Sequence, residues 1–179
     1  MRSHALTAAV LSSSLLPACS APTVLHRYGW SMPSFPDQCH GGLHPGVDFS
    51  ARVGAPVLAA ADGEVASVKE TETGGGVLLL RHGEFERYTA YAHLDWSDGQ
   101  PAVGQSIRRG QIIGRVGMYR NSGRTPHVHM ELCTSACSWG HPECTLEGTE
   151  DPLLVSSGCF NAQSSYTRDT LILTYPVSC

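Results

Sequence analysis

The stretch TPHVHMEL, residues 125–132, sets His127 and His129 two positions apart in an apolar-alternating run. In an extended strand, successive side chains alternate faces. Both imidazoles would then point to one side, about 7 Å apart at their bases. Such a pair can bind a metal ion together, or one ring can bind it while the other handles protons. Two surface histidines with neither duty fit the spacing equally well. Upstream, HGGLHPGVDFS places His44 four residues before Asp48. Pro45-Gly46 between them argues against a helix, so a turn running into a strand must bring imidazole and carboxylate to one centre. His, His and Asp suit Zn²⁺, because three nitrogen and oxygen ligands leave a fourth position for water. YAHLD adds His93, expected on the same strand face as Tyr91. Glu131 falls on the face of His127 and His129 by alternation and is read either as orienting a ligand or as having no special role.

The elements that must position these groups are short. GVDFSA, APVLAAADGEVASVKE, GGVLLLRHG, YTAYAHLD, GQSIRRGQIIGRVG and HVHMELC read as successive strands, and no segment carries a long helical stripe. Asp62-Gly63 is expected to turn a hairpin, and Gly74–Gly76 marks another turn. Asp62 and Asp95 read as turn residues, and IRRGQ as a solvated hairpin face. The fold class expected is all-β, an antiparallel sheet sandwich or open barrel. The chain has 179 residues, enough for one domain with a sizeable core. Its formal net charge of −4 gives no basic footprint for nucleic acid.

The first 19 residues read as an export signal: MRSH carries positive charge, and an apolar, small-residue stretch follows, too short for a permanent span. LLPAC, residues 15–19, resembles a bacterial lipobox, which implies a lipid anchor at Cys19. Cleavage near Ala18 or Ala21 to release a secreted protein is the alternative. Setting Cys19 aside, Cys39, Cys133, Cys137, Cys144, Cys159 and Cys179 form an even set, read in an exported chain as up to three disulfides of undetermined connectivity. Cys133, Cys137, His141 and Cys144 could instead form a second zinc site. The chain divides into signal (1–19), lead-in (20–37), patterned domain (38–132) and a cysteine-rich extension (133–179) packed on the same domain. Within the extension DTLILTYPVSC could be one more strand.

LHPGVDF, GAPVLAAADGEVASV, YAHLD, GQSIRRGQIIGRVG and PHVHMEL, in that order, resemble the M23 (lysostaphin/LytM-like) zinc metallopeptidases over about residues 40–132. The resemblance implies His44, Asp48 and His129 as Zn²⁺ ligands, His93 and His127 as the catalytic pair, and peptidoglycan peptides as substrate. Water at the metal would have its pKa lowered to about 7. His127 would take and return the proton, and His93 would steady the oxyanion. Departures from the family pattern are Thr125 before Pro126-His127, the bulky loop GMYRNSGRTP, and Met130 where Phe usually follows the second histidine; they put substrate preference in doubt. Two other functions compete. A non-catalytic LytM-like regulator or wall-binding module typically lacks metal ligands, which are present here. A biotinyl or lipoyl carrier needs a lysine at a hairpin tip, and Lys69, in VKET, is the only lysine. His4 lies in the signal, His82 reads as filler, and His26, His40 and His141 have no partner that the sequence names.

Overall fold

The computed structural model describes residues 20–32, 42–122, 125–134, 137 and 146–179. The signal, the lipobox with Cys19, and Cys39, His40, His141 and Cys144 lie outside the described residues. Among the described residues, ten strands form one hydrogen-bonded sheet: β1 (Val24–His26), β2 (Val47–Ser50), β3 (Pro56–Leu58), β4 (Gly63–Thr71), β5 (Gly75–His82), β6 (Arg87–Asp95), β7 (Ser106–Ile107), β8 (Ile112–Val116), β9 (His127–Cys133) and β10 (Thr149–Glu150). The main path runs β1-β2-β9-β6-β5-β4-β7; β10 adds to β9, and β8 joins β3 and β6. Every strand pair is antiparallel, and the described residues contain no α-helix. The fold is the all-β antiparallel class that the short alternating runs implied.

Strands β2, β9 and β6 show why the alternation matters. Val47 pairs with Met130 and Phe49 with Val128, while Tyr91 pairs with Met130 from the other side. These residues are fully buried and form the core with Leu78, Leu80, Leu94 and Leu132. Each such side chain contributes about 1.5–3 kcal/mol on leaving water. The intervening positions Asp48, Ser50, His127, His129 and Glu131 face the other side, so a one-residue slip would drive carboxylates into the core. Met130 therefore belongs to the core and not to a cleft, which removes it as a source of substrate preference.

Several local expectations are corrected. Asp62-Gly63 does not turn a hairpin, because β3 pairs with β8 and β4 pairs with β5 and β7. Asp62 instead accepts the Arg109 backbone N–H at 2.7 Å. Arg109 is no solvated hairpin residue: its guanidinium donates to the carbonyls of Ala60 and Ile172 and lies 4.1 Å over the Tyr166 ring. DTLILTYPVSC is not a strand. Its backbone bonds are divided between two segments, Thr174 N–H to Ala60 O and Leu58 N–H to Pro176 O on one side, and Leu173 N–H to Val155 O and Tyr175 N–H to Gly158 O on the other, with a single isolated bridge at Leu173. It still contributes Leu173 and Val177 to the core, and Cys159–Cys179 closes it. Cys133 and Cys137 are joined as a disulfide, which removes both sulfurs from the alternative zinc site. Lys69 sits within β4 opposite Val77, not at a hairpin tip.

Gly46 is required for the approach of β2 to β9. A Cβ there would stand 2.4 Å from Met130 O and 2.9 Å from the His129 ring. Gly46→Ala is expected to lower the free energy of unfolding by about 1–3 kcal/mol, the usual cost of forcing a methyl into packed surroundings. Chemical denaturation of the variant beside the parent protein checks this.

Candidate metal centre

Strand register builds the site. Asp48 lies opposite His129, and His129 lies opposite Ala92 on β6, whose small side chain leaves room above the sheet. His44 arrives from the turn before β2, and its backbone N–H and C=O are tied to Trp30 and Gly29. Three ligand-type atoms converge: His44 Nε2 and His129 Nδ1 are 3.0 Å apart, His44 Nε2 and Asp48 Oδ1 3.2 Å, and His129 Nδ1 and Asp48 Oδ1 2.9 Å. Bonds of about 2.0–2.1 Å to a tetrahedral Zn²⁺ would separate ligands by about 3.3–3.4 Å. The triangle is close to one face of that tetrahedron. All three residues are buried, so the donor set fits a divalent cation by both chemistry and spacing.

The outer contacts settle which nitrogen faces inward. His44 Nδ1–H donates to Arg27 O at 3.1 Å, which turns the Nε2 lone pair to the centre. His129 Nε2–H donates to Glu131 Oε1 at 2.9 Å, a carboxylate–histidine contact that holds the ring and raises its basicity. His129 thus has a carboxylate on each nitrogen. Burial opposes its charge, but the hydrogen bonds to Asp48 and Glu131 prevail and raise its pKa to about 10. Burial likewise favours a neutral Asp48, yet hydrogen bonds from His129 and His26 hold its carboxyl well below the usual range.

His127 and His93 stand beside this triangle, with ring centroids 4.7 Å apart in an edge-on arrangement. His127 Nε2 is 3.6 Å from Asp48 Oδ1, and its Nδ1–H donates to Thr125 O at 2.8 Å. Thr125 acts there through its backbone, so its departure from the family pattern is neutral for this contact. His93 does not share the face of Tyr91. Tyr91 is in the core, its hydroxyl accepting from Ala60 N–H at 2.9 Å. Register jumps from Tyr91–Leu78 to Leu94–Gly76, so Ala92 and His93 together oppose Val77. This bulge, with His93 at φ 64°, re-aims the imidazole to the metal side. His93 Nδ1–H donates to Gly74 O at 3.0 Å. Burial, reinforced by the neighbouring histidines, lowers the His93 pKa to about 4; burial also lowers that of His127. Both rings are neutral at pH 7.

Two contributors lay beyond the sequence reading. His26 on β1 pairs with Asp48 in register, and its Nδ1–H donates to Asp48 Oδ2 at 2.8 Å. Tyr119, in the bulky loop, packs where Gly75 and Gly117 lack side chains, and its hydroxyl donates to Leu94 O at 3.1 Å. It braces the turn whose Gly74 carbonyl holds His93. The concentration of glycine at 74–76 was the one available signal of such a close approach. His82 is a satisfied core histidine, bonded to Asp62 O at 2.6 Å and to the Thr89 hydroxyl at 2.9 Å.

The chain is similar to known proteins in sequence and in fold. The profile of Peptidase family M23 matches residues 42–138. The chain is 35% identical over 115 residues to the glycyl-glycine endopeptidase ALE-1 of Staphylococcus capitis, covering 63% of this chain and 31% of that protein. It is 36% identical over 91 residues to the peptidoglycan DD-endopeptidase ShyA of Vibrio cholerae, covering 50% and 20% respectively. The chain therefore spans less than a third of the length of these relatives. The catalytic domain of the antimicrobial peptidase lysostaphin from Staphylococcus simulans superposes with a TM-score of 0.61 at 26% identity, over 74% of this chain and 90% of that one. A profile match over more than half of the residues, on a fold shared with the lysostaphin catalytic domain, places this protein in peptidase family M23.

Proposed function

We propose that the protein is a zinc-dependent metalloendopeptidase that hydrolyses peptide cross-links in bacterial peptidoglycan. The convergence of His44 Nε2, Asp48 Oδ1 and His129 Nδ1 beside two neutral histidines carries the reading. The names of ALE-1 and ShyA supply the substrate class, and family membership supplies the metal. A regulator that binds wall without cutting it has no use for this donor set.

A zinc ion held by His44, Asp48 and His129 would supply Lewis acidity, polarising the scissile carbonyl and making water acidic near neutral pH. The chain supplies the proton handling. His127 and His93 each commit Nδ1–H to a carbonyl, Thr125 O and Gly74 O, so each neutral ring carries its lone pair on Nε2. His127 accepts the proton of the attacking water and returns it to the leaving amine, a contribution of about 10²–10⁴ in rate. His93 in this tautomer has no Nε2 proton to offer an oxyanion. It orients the water as an acceptor, and it becomes a donor only after gaining a proton. This revises the oxyanion role first assigned to it. The export and lipid-anchor readings, through residues 1–19 and Cys19, place the enzyme at the cell envelope as part of the same proposal.

Incubating purified protein with peptidoglycan of known cross-link chemistry, with and without a chelator, tests the reading. Fragments bearing new amino termini, lost on chelation, are the expected result in mass analysis. Intact walls in the presence of bound zinc would refute it. His129→Ala is expected to leave metal content well below one ion per chain. His127→Ala is expected to retain zinc while turnover falls about 10²–10⁴-fold; metal analysis and single-turnover cleavage separate the two outcomes. His129, with its metal-free pKa near 10, is protonated at pH 7, so zinc must displace that proton. Zinc affinity should therefore rise about tenfold per pH unit above neutrality until His129 deprotonates unaided. Calorimetry in buffers of different ionisation enthalpy should show about one proton released per ion from this residue.

A further inference from the structure

His26 lies outside the matched family region, yet it is bonded directly to the proposed metal ligand Asp48. The carboxylate is shared between two sets of partners. Oδ1 faces His44 Nε2 and His129 Nδ1, while Oδ2 receives the His26 Nδ1–H at 2.8 Å. Two features fix the His26 ring. Strand β1 sets it opposite Asp48 in the ladder, and Trp30 stacks on it with centroids 4.3 Å apart and planes inclined by 19°. The same segment supplies Arg27 O to His44 Nδ1, and Thr23 O accepts the Ser50 N–H. We propose that His26 is a positioning residue of the metal centre: by engaging Oδ2, it holds Asp48 as a one-oxygen ligand and keeps a coordination position open for substrate and water. The inference rests on the metal centre proposed above.

The physical argument concerns what a carboxylate does without such a donor. A carboxylate can bind a cation through one oxygen or both. A second Asp48 oxygen at the ion would occupy space that a hydrolase needs for its nucleophile. Partners that hydrogen-bond to metal ligands typically change affinity about 10–100-fold when removed. The donor and the stack on Trp30 can be separated by substitution. His26→Phe keeps an aromatic ring for Trp30 but has no N–H. His26→Asn keeps an N–H close to the position of Nδ1 but loses the stack.

Zn²⁺ affinity of the full chain, measured by competition with a chromophoric chelator, is the primary readout. The absorption spectrum of the Co²⁺-loaded protein reports the coordination of Asp48, and denaturation of the metal-free variants tracks folding. His26→Phe is expected to weaken zinc binding about 10–100-fold and to alter the Co²⁺ spectrum, while His26→Asn stays close to the parent protein in both. Unchanged affinity and spectrum in His26→Phe would overturn the proposal. So would equal weakening in both variants in step with lost stability, since that marks an anchor for β1 and not a partner for Asp48. A parent protein that binds no zinc would instead remove the metal centre itself, and this proposal with it.

Discussion

The structure is organised around one buried carboxylate. Asp48 is almost wholly removed from water, and an ionised carboxylate in that position is costly unless it is paired and hydrogen-bonded. Here donors come from two sides, His129 on β9 and His26 on β1, while His44 from the preceding turn sets its Nε2 3.2 Å from the same carboxylate. The His129 and His26 contacts are consequences of strand register. Asp48 is opposite His129 on one side and His26 on the other, so β1, β2 and β9 must align for the charge to be tolerated. The same register presents Val47 and Phe49 to the core. Packing and electrostatics therefore select one alignment, and a slip is penalised on both faces at once.

Two devices complete the site against the grain of regular structure. The bulge at Ala92-His93 breaks alternation in β6, so Tyr91 fills the core while His93 crosses to the metal side. A left-handed φ on a non-glycine residue is uncommon, and such conformations persist when surroundings over-determine them. The surroundings here are specific: Gly74 O receives the His93 Nδ1–H, and Tyr119 wedges against Gly75. The bulky loop preceding β9 thus supports the geometry of a histidine on a different strand.

Legibility followed the range of the interactions involved. His44, Asp48, His93, His127 and His129 could be singled out because imidazole and carboxylate at short spacings carry chemical meaning before any fold is known. The strands around them were readable because alternation is local. His26 was not readable: VLH is three residues long, and its link to Asp48 exists only once β1 pairs with β2. The Asp62-Gly63 hairpin failed for the same reason, since Asp62 is taken by Arg109, a residue distant in sequence. His93 was found by type but placed on the wrong face, because alternation cannot foresee an inserted residue. Arg109 read as solvent-facing because nothing nearby in sequence announces the Ala60 and Ile172 carbonyls or the Tyr166 ring.

The segments flanking the core of the family match are not appendages. On the N-terminal side, β1 extends the sheet and places His26 on the proposed ligand Asp48. On the C-terminal side, Leu173 and Val177 enter the same hydrophobic core, and Arg109 ties Ile172 to Ala60. Between them, β10 covers β9, and Cys133–Cys137 secures the chain as it leaves β9. Glu131, which holds the outer nitrogen of His129, lies two residues before that disulfide on the same strand. Ordering the strand end therefore also orders the carboxylate that turns Nδ1 of His129 inward. The polar cluster gains its geometry from the rigidity of both flanks. A ligand triangle needs positional precision of about half an ångström, and rigid strands supply it better than loops.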